Sequence, residues 1–403
     1  MKYVELHTKL KNLVDYVPDV IEIDEHTVVR NFDFDSKYRS LLPGGTLNSD
    51  PAESVTGNPY HEPDIIRSLL NKNDAEISEN IHFRYHLFLP KGKDKADKVI
   101  LLFHGFNEKY WDKYLTWAKQ LVDTTNKAVL LFPIAFHMNR APHSWSDTRK
   151  MFNICRQRKE RHPDIIHSTL SNVAISTRLH NKPQRFIWSG LQTYYDVIDL
   201  VETIKAGQHP VITPDATFDI FSYSIGSLLG EIVMMTNKNG YFSSSKFCLF
   251  CGGAVFNRLS PVSKFILDSE ANVSLYSYVV EHLESHMRNN PLLKEYMGVS
   301  HPEGINLRSM LNYKAFAEYR ESLFRSMQSR ILAVCLVKDN VIPAYEVVNT
   351  LNGIRRDIPI PVEIMDFPYP YKHEDPFPAS ATMVEEVDAA FHKTFDRISE
   401  FLS

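Results

Sequence analysis

The sequence has little cysteine, no excess of basic charge and no long apolar segment. Its 403 residues include only four cysteines, which is too few for the disulfide framework of a small secreted scaffold. Lysine and arginine total 45 against 49 aspartates and glutamates, a formal net charge of −4. That balance argues against a dedicated nucleic-acid-binding protein. No segment approaches the roughly 18–20 apolar residues of a transmembrane helix.

The amino terminus and the cysteines exclude two further classes. Residues Met1–His7 are charged and lack the apolar stretch of a signal peptide, so we expect a cytoplasmic protein without an integral membrane segment. Cys248 and Cys251 form a C-x-x-C, but they lie in the apolar run Phe247–Cys251, which is typical of a buried strand. Neither a second C-x-x-C nor a close histidine pair completes a metal site. We therefore expect no metal and no cofactor.

Apolar runs alternate with helical patterns from about residue 81 onward. Val99–Phe103 and Ala128–Pro133 are continuous apolar runs, as expected of strands covered on both faces, and Trp111–Val122 between them is amphipathic. Further strands are predicted at Thr217–Tyr223, Lys246–Cys251, Ile331–Val337 and Val362–Met365, with a helix at Thr193–Ala206. This succession predicts an α/β fold with a mostly parallel central sheet flanked by helices.

Two segments interrupt that succession. Residues 134–185 form a polar insert with a basic segment at 149–161, and residues 256–330 form a predicted helical cap. The basic segment is interpreted as a solvated helix face, with a seat for an anionic substrate group as the alternative. We assign 81–255 and 331–403 to the core, and 1–80 to an N-terminal extension packed on it. Within the extension we expect strands at Val20–Ile23 and Thr27–Phe34, a loop over 43–59, and a helix at Pro63–Asn80.

A serine lies where a strand passes directly into a helix. Ser222-Tyr223-Ser224-Ile225-Gly226 resembles G-x-S-x-G with serine at the first position. A nucleophile on such a tight turn needs small neighbours two positions away. At the start of the helix, the Ile225 N–H could donate to an oxyanion. The alternative is that Ser224 only caps the helix.

Three other strand ends carry polar residues. His104-Gly105-Phe106-Asn107 follows the Val99–Phe103 strand, and its Phe106 N–H is the second candidate oxyanion donor. Asp339 follows Ile331–Val337 as a candidate acid, although it could equally cap the next helix, and Asp366 is the second candidate. His373, in a proline-rich loop after Val362–Met365, is the candidate base. The competing histidines are less well placed: His282, His286 and His392.

The order Ser224, Asp339, His373, each after a strand, resembles the α/β-hydrolase superfamily. The resemblance covers about residue 81 to the C-terminus and includes His104-Gly105, the Ser222–Gly226 elbow and the Asp339 turn. It implies an α/β-hydrolase fold with Ser224 as nucleophile, His373 as general base and Asp339 as its orienting acid. It also implies an oxyanion hole formed by the backbone N–H groups of Phe106 and Ile225.

The pattern therefore predicts a serine hydrolase, with carboxylic-ester hydrolysis as the leading class. The expected partner is a small-molecule acyl substrate, bound in the form of an ester, thioester or amide. Two alternatives stay open: a non-catalytic binding protein on the same fold, and an acyltransferase that uses the same three residues. The sequence leaves the acyl group, the leaving group and the oligomeric state open.

Overall fold

The strands of the described residues form one nine-stranded sheet. The computed structural model describes residues 1–48, 69–92, 95–379 and 382–403. The sheet has the order β1-β2-β3-β5-β4-β6-β7-β8-β9. Its strands are β1 Val20–Glu22, β2 Thr27–Asp35, β3 His82–Pro90, β4 Ala96–Phe103, β5 Ala128–Leu131, β6 Ile212–Tyr223, β7 Phe247–Phe250, β8 Ile331–Leu336 and β9 Val362–Met365. The pairs β1–β2, β2–β3 and β3–β5 are antiparallel, and the five other pairs are parallel. The prediction of a mostly parallel sheet is confirmed.

Fourteen α-helices lie in the described ranges. They are α1 Tyr3–Leu13, α2 Ser78–Ile81, α3 Asp112–Thr125, α4 Thr148–Arg161, α5 Val173–Asn181, α6 Arg185–Lys205, α7 Ile225–Thr236, α8 Ser269–Tyr276, α9 Leu283–Asn289, α10 Pro291–Tyr296, α11 Pro302–Ser309, α12 Ala317–Met327, α13 Ala344–Leu351 and α14 Val384–Leu402. The predicted helical cap contains α8 to α12. Helix α6 starts eight residues before the predicted Thr193, inside the polar insert. None of the helices that the structure describes is both long and apolar enough to cross a bilayer.

The central strand β4 explains why the sheet is covered on both faces. Successive side chains of a strand point to opposite faces. Val99, Leu101 and Phe103 belong to one buried cluster, which includes side chains of α6 and α7. Ile100 and Leu102 belong to the other, which includes side chains of α1, α3 and α14. Helices therefore pack on each face of β4, and its continuous apolar run follows from this.

The described part of the N-terminal segment joins the sheet. The predicted strands at Val20–Ile23 and Thr27–Phe34 are confirmed as β1 and β2, and β2 pairs with β3 over its whole length. The predicted loop over 43–59 and the predicted helix at Pro63–Asn80 both fall partly on residues 49–68, which lie outside the described residues.

The predicted helix does not continue to Asn80, so that part of the prediction is wrong. Asn73 accepts a hydrogen bond from the Ala75 N–H, and a single 3₁₀ turn follows at Asp74–Glu76. The buried Asp74 carboxylate pairs with Arg178 and Arg185 at 3.0 and 2.8 Å. These long-range ion pairs favour a separate turn over a continuous helix at this point.

Candidate active site

Ser224 lies on the sharp turn between β6 and α7. Its backbone has φ 57° and ψ −126°, a conformation that costs a non-glycine residue energy and that recurs at nucleophile elbows. Gly226 makes the turn possible. A Cβ atom there would lie 2.5 Å from the Phe103 carbonyl oxygen and 2.7 Å from that of His104. The helix therefore starts directly against the end of β4.

Ser222, at the first position of the elbow, does not disturb the turn. Its side chain is fully buried, and its hydroxyl lies 3.0 Å from the Ser227 Oγ. It also donates to the Cys248 carbonyl oxygen at 3.4 Å. The serine hydroxyl at this position, where the motif usually has glycine, therefore has hydrogen-bond partners in the interior.

Ser224, His373 and Asp339 form a continuous chain of hydrogen bonds. Ser224 Oγ lies 2.7 Å from His373 Nε2, and His373 Nδ1 lies 2.7 Å from Asp339 Oδ2. All three residues are buried, between 3% and 6% exposed. An Nδ1–H that donates to the carboxylate leaves Nε2 free to accept the proton of the serine hydroxyl. The three residues that the sequence singled out therefore lie together.

Asp339 uses its second oxygen to hold its own loop. Its Oδ1 accepts the backbone N–H groups of Val341 and Ile342 at 2.9 and 2.8 Å. The carboxylate therefore orients a turn and contacts the imidazole at once. Asp366, the second candidate acid, lies on the surface with its side chain 51% exposed, where it accepts the Tyr371 hydroxyl.

Both candidate oxyanion donors border the same pocket as Ser224. Ile225 is the first residue of α7, where backbone N–H groups have no acceptor within the helix. Phe106 follows the end of β4, and both residues line the pocket with Ser224. Both residues therefore lie in the wall of the pocket that contains Ser224.

Buried hydrogen bonds hold the loop that carries Phe106. The imidazole of His104 is fully buried, with Nδ1 2.8 Å from the Gly105 carbonyl oxygen and Nε2 accepting the Ile134 N–H at 2.9 Å. Burial holds the pKa of His104 well below its usual range, so this ring stays neutral. The Gly105 N–H donates to the Tyr114 hydroxyl at 2.9 Å.

The loop that carries His373 is held by contacts that sequence reasoning missed. The Tyr223 hydroxyl donates to the His373 carbonyl oxygen. Lys113 Nζ donates to the Glu374 carbonyl oxygen at 2.9 Å, and the Ser263 hydroxyl to the Glu374 carboxylate at 2.7 Å. These partners are separated by more than 100 residues, so no local pattern could have indicated them.

The pocket beside Ser224 is apolar. Its wall is formed by Phe106, Phe186, Ser224, Ile225, Phe256, Leu259, Pro261, Ile266, Leu267, Leu275, Val341 and Ile342. Six of these residues come from the segment between 256 and 275. The sequence predicted this segment as the start of a helical cap, and in the structure these six residues lie in the pocket wall.

The basic segment at 149–161 lies on α4 and contributes no side chain to that wall. Arg158 is buried, and its guanidinium pairs with Asp268. The other basic residues of the segment are exposed, namely Arg149, Lys150, Arg156, Lys159 and Arg161. These positions fit the predicted solvated face, except at Arg158.

The cysteines are all free and buried: Cys155, Cys248, Cys251 and Cys335. Cys248 lies on β7 and Cys251 directly follows it, so the expectation of a buried strand is confirmed. Burial raises the pKa of both thiols. Across the described ranges, no group of three or more His, Cys, Asp or Glu side chains could hold a metal ion.

The chain belongs to DUF6051, a family of unknown function whose model matches residues 1–403. No curated protein sequence matches it. Solved structures that resemble it include a thermostable esterase from Pseudomonas putida ECU1011, with 8% identity, TM-score 0.44, and coverage of 100% of this chain and 89% of the esterase. Carboxyl esterase 2 from Tuber melanosporum has 12% identity, TM-score 0.44, and coverage of 79% and 81%. The peroxisomal α/β-hydrolase Lpx1 of Saccharomyces cerevisiae has 12% identity, TM-score 0.40, and coverage of 94% and 90%.

The chain has the α/β-hydrolase fold, as the sequence predicted. A strand–turn–helix elbow after β6 presents a serine at the carboxyl edge of the parallel strands. The acid and the histidine follow β8 and β9 in the chain order of that fold. Sites in open α/β sheets collect at this edge.

Proposed function

We propose that this chain is a serine hydrolase that cleaves a small-molecule ester, thioester or amide through an acyl-enzyme on Ser224. Carboxylic esters are the first class to assay. One observation carries the proposal: the hydrogen-bond chain from Ser224 Oγ to His373 and on to Asp339, at 2.7 Å for each step. A buried serine needs no such partners to cap a helix, whereas a nucleophile needs a base held in one tautomer.

The proposed reaction uses these groups in two stages. His373 Nε2 takes the proton as Ser224 Oγ attacks the acyl carbon. The resulting oxyanion accepts hydrogen bonds from the N–H groups of Phe106 and Ile225. Protonated His373, stabilised by Asp339, then gives its proton to the leaving group as the bond between that group and the acyl carbon breaks. In the second stage His373 takes a proton from a water molecule that attacks the acyl carbon. The bond to Ser224 Oγ breaks, His373 returns the proton to Oγ, and the acid is released.

Labelling with a fluorophosphonate probe tests the proposal directly. The wild-type protein should be labelled at Ser224, as shown by mass spectrometry of the modified peptide. Ser224→Ala should abolish labelling, since the nucleophile is gone, while circular dichroism shows that it folds. Ser244→Ala, at an exposed serine between α7 and β7, is the control and should label as the wild type does. A folded wild-type protein without labelling at Ser224 would rule out the hydrolase.

A further inference from the structure

We propose that the pocket beside Ser224 accepts a short, uncharged aliphatic acyl group of about two to four carbons. We further infer that the side chains of Phe186 and Phe256 limit its length. This inference rests on the proposed function at Ser224 and adds the substrate class. It also identifies two residues that determine specificity and take no part in the chemistry.

The composition of the wall selects for an uncharged group. Among the twelve lining residues the only polar side chain is the Ser224 hydroxyl, and none is charged. An acyl group with a carboxylate or an ammonium would lose its hydration there without gaining a partner. A hydrocarbon chain would instead be removed from water.

The size of the pocket limits the chain. The space between the walls is small, about 30 Å³. One water-sized group needs roughly 10–15 Å³ of such space, so the pocket holds about two or three groups of that size. This leaves room for a short acyl chain of about two to four carbons, counting the carbonyl carbon beside Ser224.

Two aromatic rings from distant parts of the chain meet in the wall. Phe186 lies in the first turn of α6, and Phe256 follows β7. Their ring centroids are 5.0 Å apart, with the planes tilted by 51°. The Phe256 backbone is fixed separately, since its N–H donates to the Met310 carbonyl oxygen at 2.8 Å. Removing either ring therefore enlarges the pocket while the backbone around Phe256 keeps its own support.

The experiment compares acyl-chain profiles. We expect kcat/KM for p-nitrophenyl esters, from acetate to palmitate, to peak within the stated range and to be about 10-fold or more lower at palmitate. Phe186→Ala and Phe256→Ala should each move the peak to chains longer by about two carbons or more. The control is Phe265→Ala, because Phe265 is 46% exposed outside the pocket and directly precedes Ile266 in its wall. Its profile should match that of the wild type.

A second comparison tests whether the pocket rejects a charged acyl group. The p-nitrophenyl monoester of succinic acid has the same acyl length as the butanoate ester but ends in a carboxylate. We expect its kcat/KM to be about 100-fold lower, because no cation in the wall meets the charge. Equal rates for the two esters would overturn the assignment of an uncharged acyl group.

The rate at which alkyl fluorophosphonates of increasing chain length label Ser224 gives a second measure of the length preference. All of these probes have the same leaving group, so its identity does not affect the comparison. If Ser224 is labelled but the profile does not change in either variant, the length assignment fails and the proposed hydrolase stands. If Ser224 is not labelled by any probe, the proposed function fails first. Thermal melting identifies a variant that does not fold. Phe186→Leu, which keeps an apolar side chain, then replaces it and should give a smaller shift in the same direction.

Discussion

Arg158 and Asp268 form a buried two-point ion pair that joins the polar insert to the helical cap. The guanidinium Nε and one terminal nitrogen donate to the two carboxylate oxygens at 2.7 and 2.8 Å. Asp268 also caps α8 by accepting the Ala271 N–H. Because Ile266 and Leu267 directly precede Asp268 and line the pocket, this pair supports that part of the pocket wall.

Loss of this pair should destabilise the protein strongly. Asp268→Asn keeps an oxygen for the cap but leaves a buried guanidinium without its anion, so we expect the free energy of unfolding to fall by about 3–5 kcal/mol. Urea denaturation measures the change. Arg156→Met on the same helix is the control, since its 63% exposed side chain meets Glu160 only at 3.8 Å, and it should cost about 0.5 kcal/mol or less. Similar losses for the two variants would show that the pair does not hold the inserts together.

Asp339→Asn should remove the carboxylate that orients His373 while leaving the nucleophile Ser224 in place. The amide cannot stabilise an imidazolium and favours the wrong tautomer, so we expect kcat to fall by about 10⁴. Steady-state kinetics on the best ester measures the loss. Asp366→Asn is the matched control, because this carboxylate follows the next strand but lies on the surface against Tyr371. It should change kcat by about twofold or less. A larger loss from Asp366→Asn than from Asp339→Asn would reverse the assignment of the acid.

Substitutions at the two small residues of the elbow, Gly226 and Ser222, should differ sharply in their cost to stability. Gly226→Ala places a methyl group within 2.5 Å of the Phe103 carbonyl oxygen. We expect it to lose the folded state or to cost about 3 kcal/mol or more. Ser222→Ala removes one buried hydroxyl that meets Ser227 and should cost about 1 kcal/mol. Chemical denaturation with fluorophosphonate labelling checks both, and equal costs would contradict the role of Gly226 in the turn.

Buried histidines should make the stability depend on pH. Burial lowers the pKa of His86 to about 3 and of His137 to about 4, whereas an unfolded histidine has a pKa of about 6.5. The unfolded chain therefore takes up protons that the folded chain excludes as the pH falls. This contribution is fully present above about pH 6.5 and is lost as the pH falls toward the folded pKa values.

A single substitution measures the contribution of His86 to this pH dependence. Between pH 6 and pH 5, His86→Gln should reduce the slope of unfolding free energy against pH by about 1.2 kcal/mol per pH unit. Urea denaturation at each pH measures the slope. His26→Gln, at a histidine whose side chain is 74% exposed, is the control. An unchanged slope in His86→Gln would show that His86 takes up its proton in the folded state too.

Much of the core could be predicted because its signals are local. The apolar run Val99–Phe103 indicates a strand covered on both faces, and the structure has helices packed on each face of it. Ser224, Asp339 and His373 could each be found because the ends of parallel strands meet at one edge. The boundaries were less accurate: β6 starts at Ile212 rather than Thr217, and α6 at Arg185 rather than Thr193.

The order of strands and helices could be predicted from the chain alone, because hydrophobic periodicity and turn residues act over a few positions. The same patterns indicate which side chains follow strand ends. The folded molecule was needed to show that the Arg158 guanidinium is internal, that the Ser222 hydroxyl lies beside that of Ser227, and that Phe186 contacts Phe256. These contacts join residues that are brought together by packing and charge across the fold. Such contacts leave no periodic pattern in the sequence.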